Sequence, residues 1–293
     1  MKLISWSVNV VSGWELLSEF VRRKLWKLLF APHQKLLGPF FLDAQDHIGA
    51  ERIITGKSYE ERTLTVLATV VKRLKLGDGI ALDVGANIGN HSCWFAKHFQ
   101  AVHSFEPGTV AALLLRANVI SSGRHNIVVH QCALGSRKYG GVLNQISATN
   151  LGSSTVTESL ETADFMIYRG DDYWNDLNID DRVELIKIDV EGFESEVVSG
   201  FSSLLRQQLP LLCVEVLKEQ KWQDLKKSLL EIGYSSWWVV THSGGGSGLV
   251  KKCWELIRGR QYCLSPLPTM FPASGFDMII CTSAFHEKKL HDD

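Results

Sequence analysis

Two short runs in the chain concentrate residues that can do chemistry. The first is Asp83-Val84-Gly85-Ala86-Asn87-Ile88-Gly89, with Glu106 following 21 residues after Gly85. The second is Asp189-Val190-Glu191-Gly192. A glycine-rich turn between a strand and a helix lets backbone approach a ligand closely. A carboxylate ending the next strand can accept hydrogen bonds from both hydroxyls of a ribose. Asn87 stands where a dinucleotide turn carries its second glycine, and asparagine tolerates a left-handed backbone better than other side chains do. The spacing therefore points to a nucleoside-containing cofactor. Asp83 bears on which kind. A carboxylate beside the turn repels a pyrophosphate but favours a ligand with ammonium and sulfonium charges, such as S-adenosylmethionine. Asp189 and Glu191 lie two apart at the end of a later strand, so they share a side if that strand continues to Glu191. Asp189 suits a cofactor ammonium or general-base role, and Glu191 a contact to substrate. The alternative for Glu191 is an acid in a helix's first turn, which the helix dipole alone favours. His242, ahead of the run Gly244-Gly245-Gly246, is a second candidate base.

These groups need a scaffold, and the apolar patterning supplies one. Short apolar runs at Ile80 to Val84, Ala101 to Phe105, Ile127 to Gln131, Val183 to Val190, Leu211 to Val216, Ser235 to Thr241 and Phe276 to Thr282 read as strands. Helical patterns cover Tyr59 to Leu74, Asn90 to His98, Val110 to Ser121, Glu191 to Leu205 and Glu219 to Ile232. Alternation of this kind predicts an α/β, doubly wound, Rossmann-like sheet, with ligands beyond the carboxyl ends of its strands. Lys187 faces away from Ile186 and Ile188 and reads as a stem packed along a helix. Residues 144–181 are polar and read as irregular. His242 to Gly248 reads as a flexible loop before an insertion at about 249–275. Leu16, Leu17, Phe20, Val21, Leu25, Leu28 and Leu29 recur at helical spacing with basic residues between them. That predicts an N-terminal helical extension over residues 1–58, docked on its own domain or a partner, with weak peripheral membrane association as the lesser reading. Residues 59–293 form the main domain. Trp237-Trp238 reads as core rather than as an exposed stacking surface.

The motifs resemble a known family. Leu82-Asp83-Val84-Gly85-Ala86-Asn87-Ile88-Gly89-Asn90, Phe105-Glu106-Pro107, Ala133-Leu134-Gly135 and Ile186-Lys187-Ile188-Asp189-Val190-Glu191-Gly192-Phe193-Glu194 are similar, in order and spacing, to FkbM methyltransferases. The resemblance spans about Tyr59 to Val216. It implies a class I methyltransferase fold with a seven-stranded sheet whose last strand is antiparallel. It also implies methyl transfer from S-adenosylmethionine to a hydroxyl of a sugar, glycan or natural product. Asp83, Gly85, Ala86, Asn87 and Gly89 would line the methionine end, Glu106 and Pro107 the ribose, and Cys132 and Ala133 the adenine. Tyr59 and Glu60 match a family position near the cofactor. One departure stands out: family members often carry a histidine shortly after the fifth-strand glutamate, and here Glu215 is followed by Val216-Leu217-Lys218.

Bulk properties narrow the alternatives. A formal net charge of −1 gives no global field for nucleic acid or an anionic membrane. Six cysteines without a C-x-x-C pair read as reduced thiols in a cytoplasmic protein, and no ligand set indicates a metal. No run reaches the roughly 20 apolar residues of a membrane span. The rivals are a nicotinamide-dependent oxidoreductase, a nitrogen methyltransferase, and a methyltransferase-fold protein that binds without turnover. Asp83 and Asn87 count against the first, and the absence of an Asn/Asp-Pro-Pro-aromatic motif after the fourth strand against the second.

Overall fold

A computed structural model of the chain describes residues 7–11, 18–19, 21, 60–145, 154–158, 163–243, 260–272 and 274–291. Its centre is five parallel strands. β2 (Ile80–Val84), β3 (Ala101–Phe105), β4 (Ile127–His130), β9 (Val183–Ile188) and β10 (Leu211–Val216) lie in the order β4-β3-β2-β9-β10. The chain winds outward from β2 in one direction and from β9 in the other, so strand order reverses between them. β13 (Phe276–Ser283) inserts antiparallel between β10 and β11 (Tyr234–Ser243). The seven expected strands are thus all present, with the last antiparallel.

Two further strands extend that sheet to nine. β12 (Arg260–Pro266) pairs with β11 inside the insertion, and β1 (Ser7–Val11) pairs with β12. Part of the N-terminal extension is therefore strand, where a helical extension was expected. Residues 18, 19 and 21 are helical; the other positions of the expected N-terminal helix, the glycine run 244–248 and residues 249–259 lie outside the described residues.

Both faces of the sheet are covered, which is why its central strands lack polar alternation. On one face α1 (Glu61–Leu74) buries Val66, Leu67, Val70, Val71 and Leu74. Phe95, at the end of α2 (Asn90–Phe95), joins them against Ala81, Val102, Leu185 and Leu211. Gly77 follows α1 at φ 133, a backbone that L side chains rarely adopt. On the other face lie α4 (Gly170–Asp176), α5 (Glu194–Gly200), α6 (Ser202–Gln208) and α7 (Glu219–Ile232). Their Trp174, Val197, Phe201, Leu205, Trp222 and Leu225 pack on Leu82, Val84, Ile186, Ile188, Leu212 and Val214. Trp238 is buried with Nε1 donating to Thr282 Oγ1 at 3.0 Å, and Trp237 packs edge-on against Trp222, so the tandem tryptophans are core. The helix read as Glu191 to Leu205 is two helices meeting at Phe201.

Residues 144–181, read as irregular, carry regular structure. β6 (Tyr139–Gln145) pairs with β7 (Ser154–Glu158) and β8 (Phe165–Arg169), and β8 pairs with β5 (Ala133–Gly135). This second, four-stranded sheet was missed because its strands are short and β6 and β7 are rich in Gly, Ser, Thr and Asn, which weakens any period-2 signal.

Candidate active site

The turn after β2 sits at the reversal of strand order, where an open α/β sheet forms its ligand crevice. Gly85, Asn87 and Gly89 have φ of 78, 47 and 88, so the left-handed conformation expected of Asn87 is present. The two glycines serve packing more than ligand approach. A Cβ on Gly85 would lie 1.7 Å from the Asp189 carbonyl oxygen, and one on Gly89 2.3 Å from Leu115 of α3 (Thr109–Ser121). The turn's N–H groups are largely spent inside the protein. Gly85 and Ala86 both donate to Phe105 O at 3.0 Å, Gly89 to Ala86 O at 2.8 Å, and Asn87 to Glu106 Oε2 at 2.9 Å. Asn118 in α3, buried, donates from Nδ2 to Ile88 O at 2.8 Å and ties the turn to that helix.

Glu106 ends β3 with both carboxyl oxygens engaged, since Oε1 accepts from Gly108 N at 2.8 Å. Burial pushes its pKa up to about 7, against the pull of those two N–H groups and of Lys187. Pro107 stands between Glu106 and Gly108 in the same loop. Cys132 and Ala133 lead into β5 and are buried, Cys132 against Tyr173; burial pushes the Cys132 thiol up to about 11. Behind them, on the α4 side of the sheet, His103 Nδ1 and His130 Nε2 are 2.9 Å apart with stacked rings, and His130 Nδ1 lies 3.1 Å from Tyr173 Oη. Burial holds both histidines down at about 4.

On the α1 side, polar groups line up across three adjacent strands. Asp83 is fully buried; its Oδ2 accepts from Ser92 Oγ at 2.5 Å, and Ser104 Oγ donates to Ser92 at 2.8 Å. Opposite Asp83 in register is Lys187. Its Nζ lies 2.9 Å from Asp189 Oδ2, 3.1 Å from Gly85 O and 3.5 Å from Asp83 Oδ1. Lys187 is therefore a charged member of the site, where a stem lying along a helix was expected. Asp189 also accepts a hydrogen bond from Glu215 of β10. Lys187 and that bond hold Asp189 down at about 2 against its burial, while burial and the neighbouring Asp189 push Glu215 up to about 11.

Asp189 and Glu191 are not on one strand face. β9 stops at Ile188, and Glu191 has φ 50 in the turn before α5, whose first residue is Glu194. Glu191 is thus neither a strand-end partner of Asp189 nor a first-turn helix acid, although its charge reaches Glu215. His242 belongs to β11, in register with Tyr262, rather than to a loop; its side chain lies outside the described residues. Sequence reasoning passed over His91, at the start of α2, whose Nε2 is 3.1 Å from Glu60 Oε2. It also passed over Ser92 and Ser104. Three polar positions on an otherwise apolar face, at Ser92, Ser104 and Lys187, were the available signal. Among the described residues no helix is long and apolar enough to cross a membrane.

A family model described as the methyltransferase FkbM domain matches residues 83–236. The FkbM methyltransferase of Methylobacillus flagellatus KT shares 18% identity over 64% of this chain and 43% of its own, with a TM-score of 0.41. The chain thus spans less than half the length of that protein. A SAM-dependent O-methyltransferase from Thermotoga maritima shares 13% identity over 77% of this chain and 65% of its own, with a TM-score of 0.40. Precorrin-6y C5,15-methyltransferase from Geobacter metallireducens GS-15 shares 11% over 70% of this chain and 89% of its own, with a TM-score of 0.38. No curated protein matches the chain.

Proposed function

The chain belongs to the FkbM methyltransferase family, whose domain model covers more than half of it, and from that premise we propose that it transfers a methyl group from S-adenosylmethionine to a hydroxyl oxygen of a sugar, glycan or natural product. The observation that carries this reading is the Asp83–Lys187–Asp189 row beside the turn, with Asp83 and Lys187 buried and Asp189 half-buried at its mouth. With Glu215 holding a proton, the row keeps one surplus negative charge at the crevice. A cation fits there and an anion does not. Asn87 Oδ1 is buried without a hydrogen-bond partner, and Asp83 Oδ1 has no hydrogen bond beyond its 3.5 Å ion pair with Lys187, so the turn has acceptor capacity left for a donor such as an ammonium group. The internal bonding of the turn's N–H groups leaves few donors for a pyrophosphate, which counts against a nicotinamide dinucleotide.

Asp83, Asn87 and Asp189 would hold the methionine end, Glu106 the ribose diol, and Cys132 with Ala133 the adenine. When bound, S-adenosylmethionine supplies a methyl group on a sulfonium centre that leaves as a neutral thioether. Asp189, held ionised by Lys187 and Glu215, is a poor proton acceptor and suits the ammonium. Glu191 and His91 stand near the same strand ends, where an acceptor hydroxyl would lose its proton. The protein's further contribution is to hold that oxygen in line with the methyl group and to exclude water.

The test is calorimetric titration of the purified chain with S-adenosylmethionine, S-adenosylhomocysteine and NAD, repeated with Glu106→Ala. Saturable binding of the first two, about tenfold or more weaker in the variant, and none of NAD, is the expected result. Tight NAD binding without S-adenosylmethionine binding overturns it. Incubation with methyl-labelled S-adenosylmethionine and a panel of hydroxylated glycosides then addresses the acceptor.

A further inference from the structure

We infer that Lys187 is the positioning residue of the cofactor site: it fixes the β2 turn against the end of β9 and keeps Asp189 charged for the cofactor ammonium. This rests on the proposed cofactor and goes beyond it, because Lys187 itself touches no ligand in that scheme.

Three contacts carry the inference. Nζ donates to Gly85 O at 3.1 Å, which is the backbone of the ligand turn. It lies 2.9 Å from Asp189 Oδ2 on the neighbouring strand and 3.5 Å from Asp83 Oδ1. The lysine thus reaches a turn 102 residues away in sequence at the point where the two backbones touch, since Gly85 has no room for even a Cβ against Asp189 O. Lys187 is only 4% exposed, so it contributes no solubility, and a buried ammonium is retained only where its partners repay desolvation. Its own pKa is raised, with Asp189 and Asp83 as the causes that outweigh burial.

The chemistry of the ligand fits the count of charges. Asp83, buried, and Asp189, half-buried, would without Lys187 be two neighbouring carboxylates beside a third carboxyl, Glu215, and the group would take up protons instead of staying ionised. With Lys187 present, the surplus is a single negative charge, which matches the single surplus positive charge of S-adenosylmethionine. A single-point ammonium can serve three acceptors at a junction this tight, whereas a planar guanidinium spreads its donors over a wider fork.

The experiment is calorimetric binding of S-adenosylmethionine to the full chain carrying Lys187→Met or Lys187→Arg, at several pH values from 6 to 9, each expressed relative to the unaltered protein. Thermal melting accompanies it to establish folding. Lys187→Arg is expected to bind about tenfold more weakly at every pH, because charge is kept and position lost. Lys187→Met is expected to lose at least as much at pH 9 and progressively more as pH falls, because Asp189 then protonates within the range. Relative affinity of folded Lys187→Met that is flat with pH, or within twofold of unity throughout, overturns the inference. If Lys187→Met does not fold, the double variant Lys187→Met/Asp83→Asn removes one charge of each sign and is read for the same pH slope. Failure of the unaltered protein to bind S-adenosylmethionine overturns the proposed cofactor, and with it the role given to Lys187.

Discussion

Glu215 donates a hydrogen bond to Asp189 across the carboxyl ends of β10 and β9, so one of two neighbouring carboxyl groups carries a proton at neutral pH. Asymmetry comes from Lys187, which sits against Asp189 and stabilises its charge, leaving the proton on Glu215. Two acids on adjacent strands thereby take opposite roles through their surroundings alone.

Replacing Glu215 with glutamine keeps a donor toward Asp189 and removes the need to hold a proton. Glu215 is raised to about 11 in the fold from an ordinary value of 4.5, so the stability it contributes is present at low pH and is lost as pH rises toward 11. Asp189 moves the other way, to about 2, and its contribution is retained above its ordinary value of 3.8. Glu215→Gln should therefore melt about 2–4 °C higher than the unaltered protein at pH 8 for each kcal/mol recovered, and no higher near pH 4.5. A melting temperature that drops at pH 8 would show that the carboxyl is ionised there.

Glu106 gives cofactor binding a pH dependence. Its pKa of about 7 in the free protein means that much of it is protonated below neutrality, whereas two ribose hydroxyls donate best to a carboxylate. S-adenosylmethionine affinity should rise up to about tenfold per unit as pH climbs toward 7 and level off above it. Glu106→Gln should bind about tenfold or more weakly at pH 8 and lose that dependence. Calorimetry from pH 5.5 to 8.5 decides; a slope that survives in the variant assigns it to another group.

The stacked His103–His130 pair predicts acid lability. Both are held at about 4 by burial, below the ordinary value of 6.5. The stability they contribute as neutral rings is present above 6.5 and is lost as pH falls toward 4. These two rings should contribute an uptake of as many as about two protons to unfolding in that window, alongside His286, also held at about 4, and His103→Gln should take up about one fewer. Urea titrations at closely spaced pH values measure this, and an unchanged pH slope in His103→Gln would assign the uptake elsewhere.

Gly85→Ala tests the contact between the β2 turn and β9. The added methyl would lie 1.7 Å from the Asp189 carbonyl oxygen, at a φ of 78 that disfavours alanine as well. A loss of about 2–4 kcal/mol in unfolding free energy is expected, together with loss of cofactor binding. Gly123→Ala, where nothing lies within 4 Å, shares the positive φ and controls for backbone strain alone.

Much of this could be read from the chain because burial and backbone geometry act locally. The central strands are largely apolar on both sides, and β2, β3 and β9 run into a glycine or an acid, so these and β10 stand out, as do Gly85, Asn87 and Glu106. What was hidden depended on distance. Lys187 looked like a stem packed along a helix because only the fold puts Asp83 and Asp189 on either side of it. Glu191 looked like a strand end because nothing in its neighbours announces the left-handed turn that stops β9 at Ile188. His91 looked like an ordinary helix residue, since its partner Glu60 precedes a different helix. The second sheet, with short strands and with Gly, Ser and Thr in β6 and β7, lacks the periodicity that marks a strand.

The separation of β2 from β9 also bears on how the molecule is made. These strands are neighbours in register through Asp83 and Lys187, yet β3, β4 and the whole second sheet come between them in the chain. Closing so long a loop costs chain entropy before any contact repays it, and non-local pairings of this kind slow folding. On the ribosome, β2 emerges well ahead of its central partner and has only β3 and β4 to pair with. The crevice is therefore completed late, once β9 has been synthesised and slotted in, and the small sheet shortens the free chain that must be drawn closed.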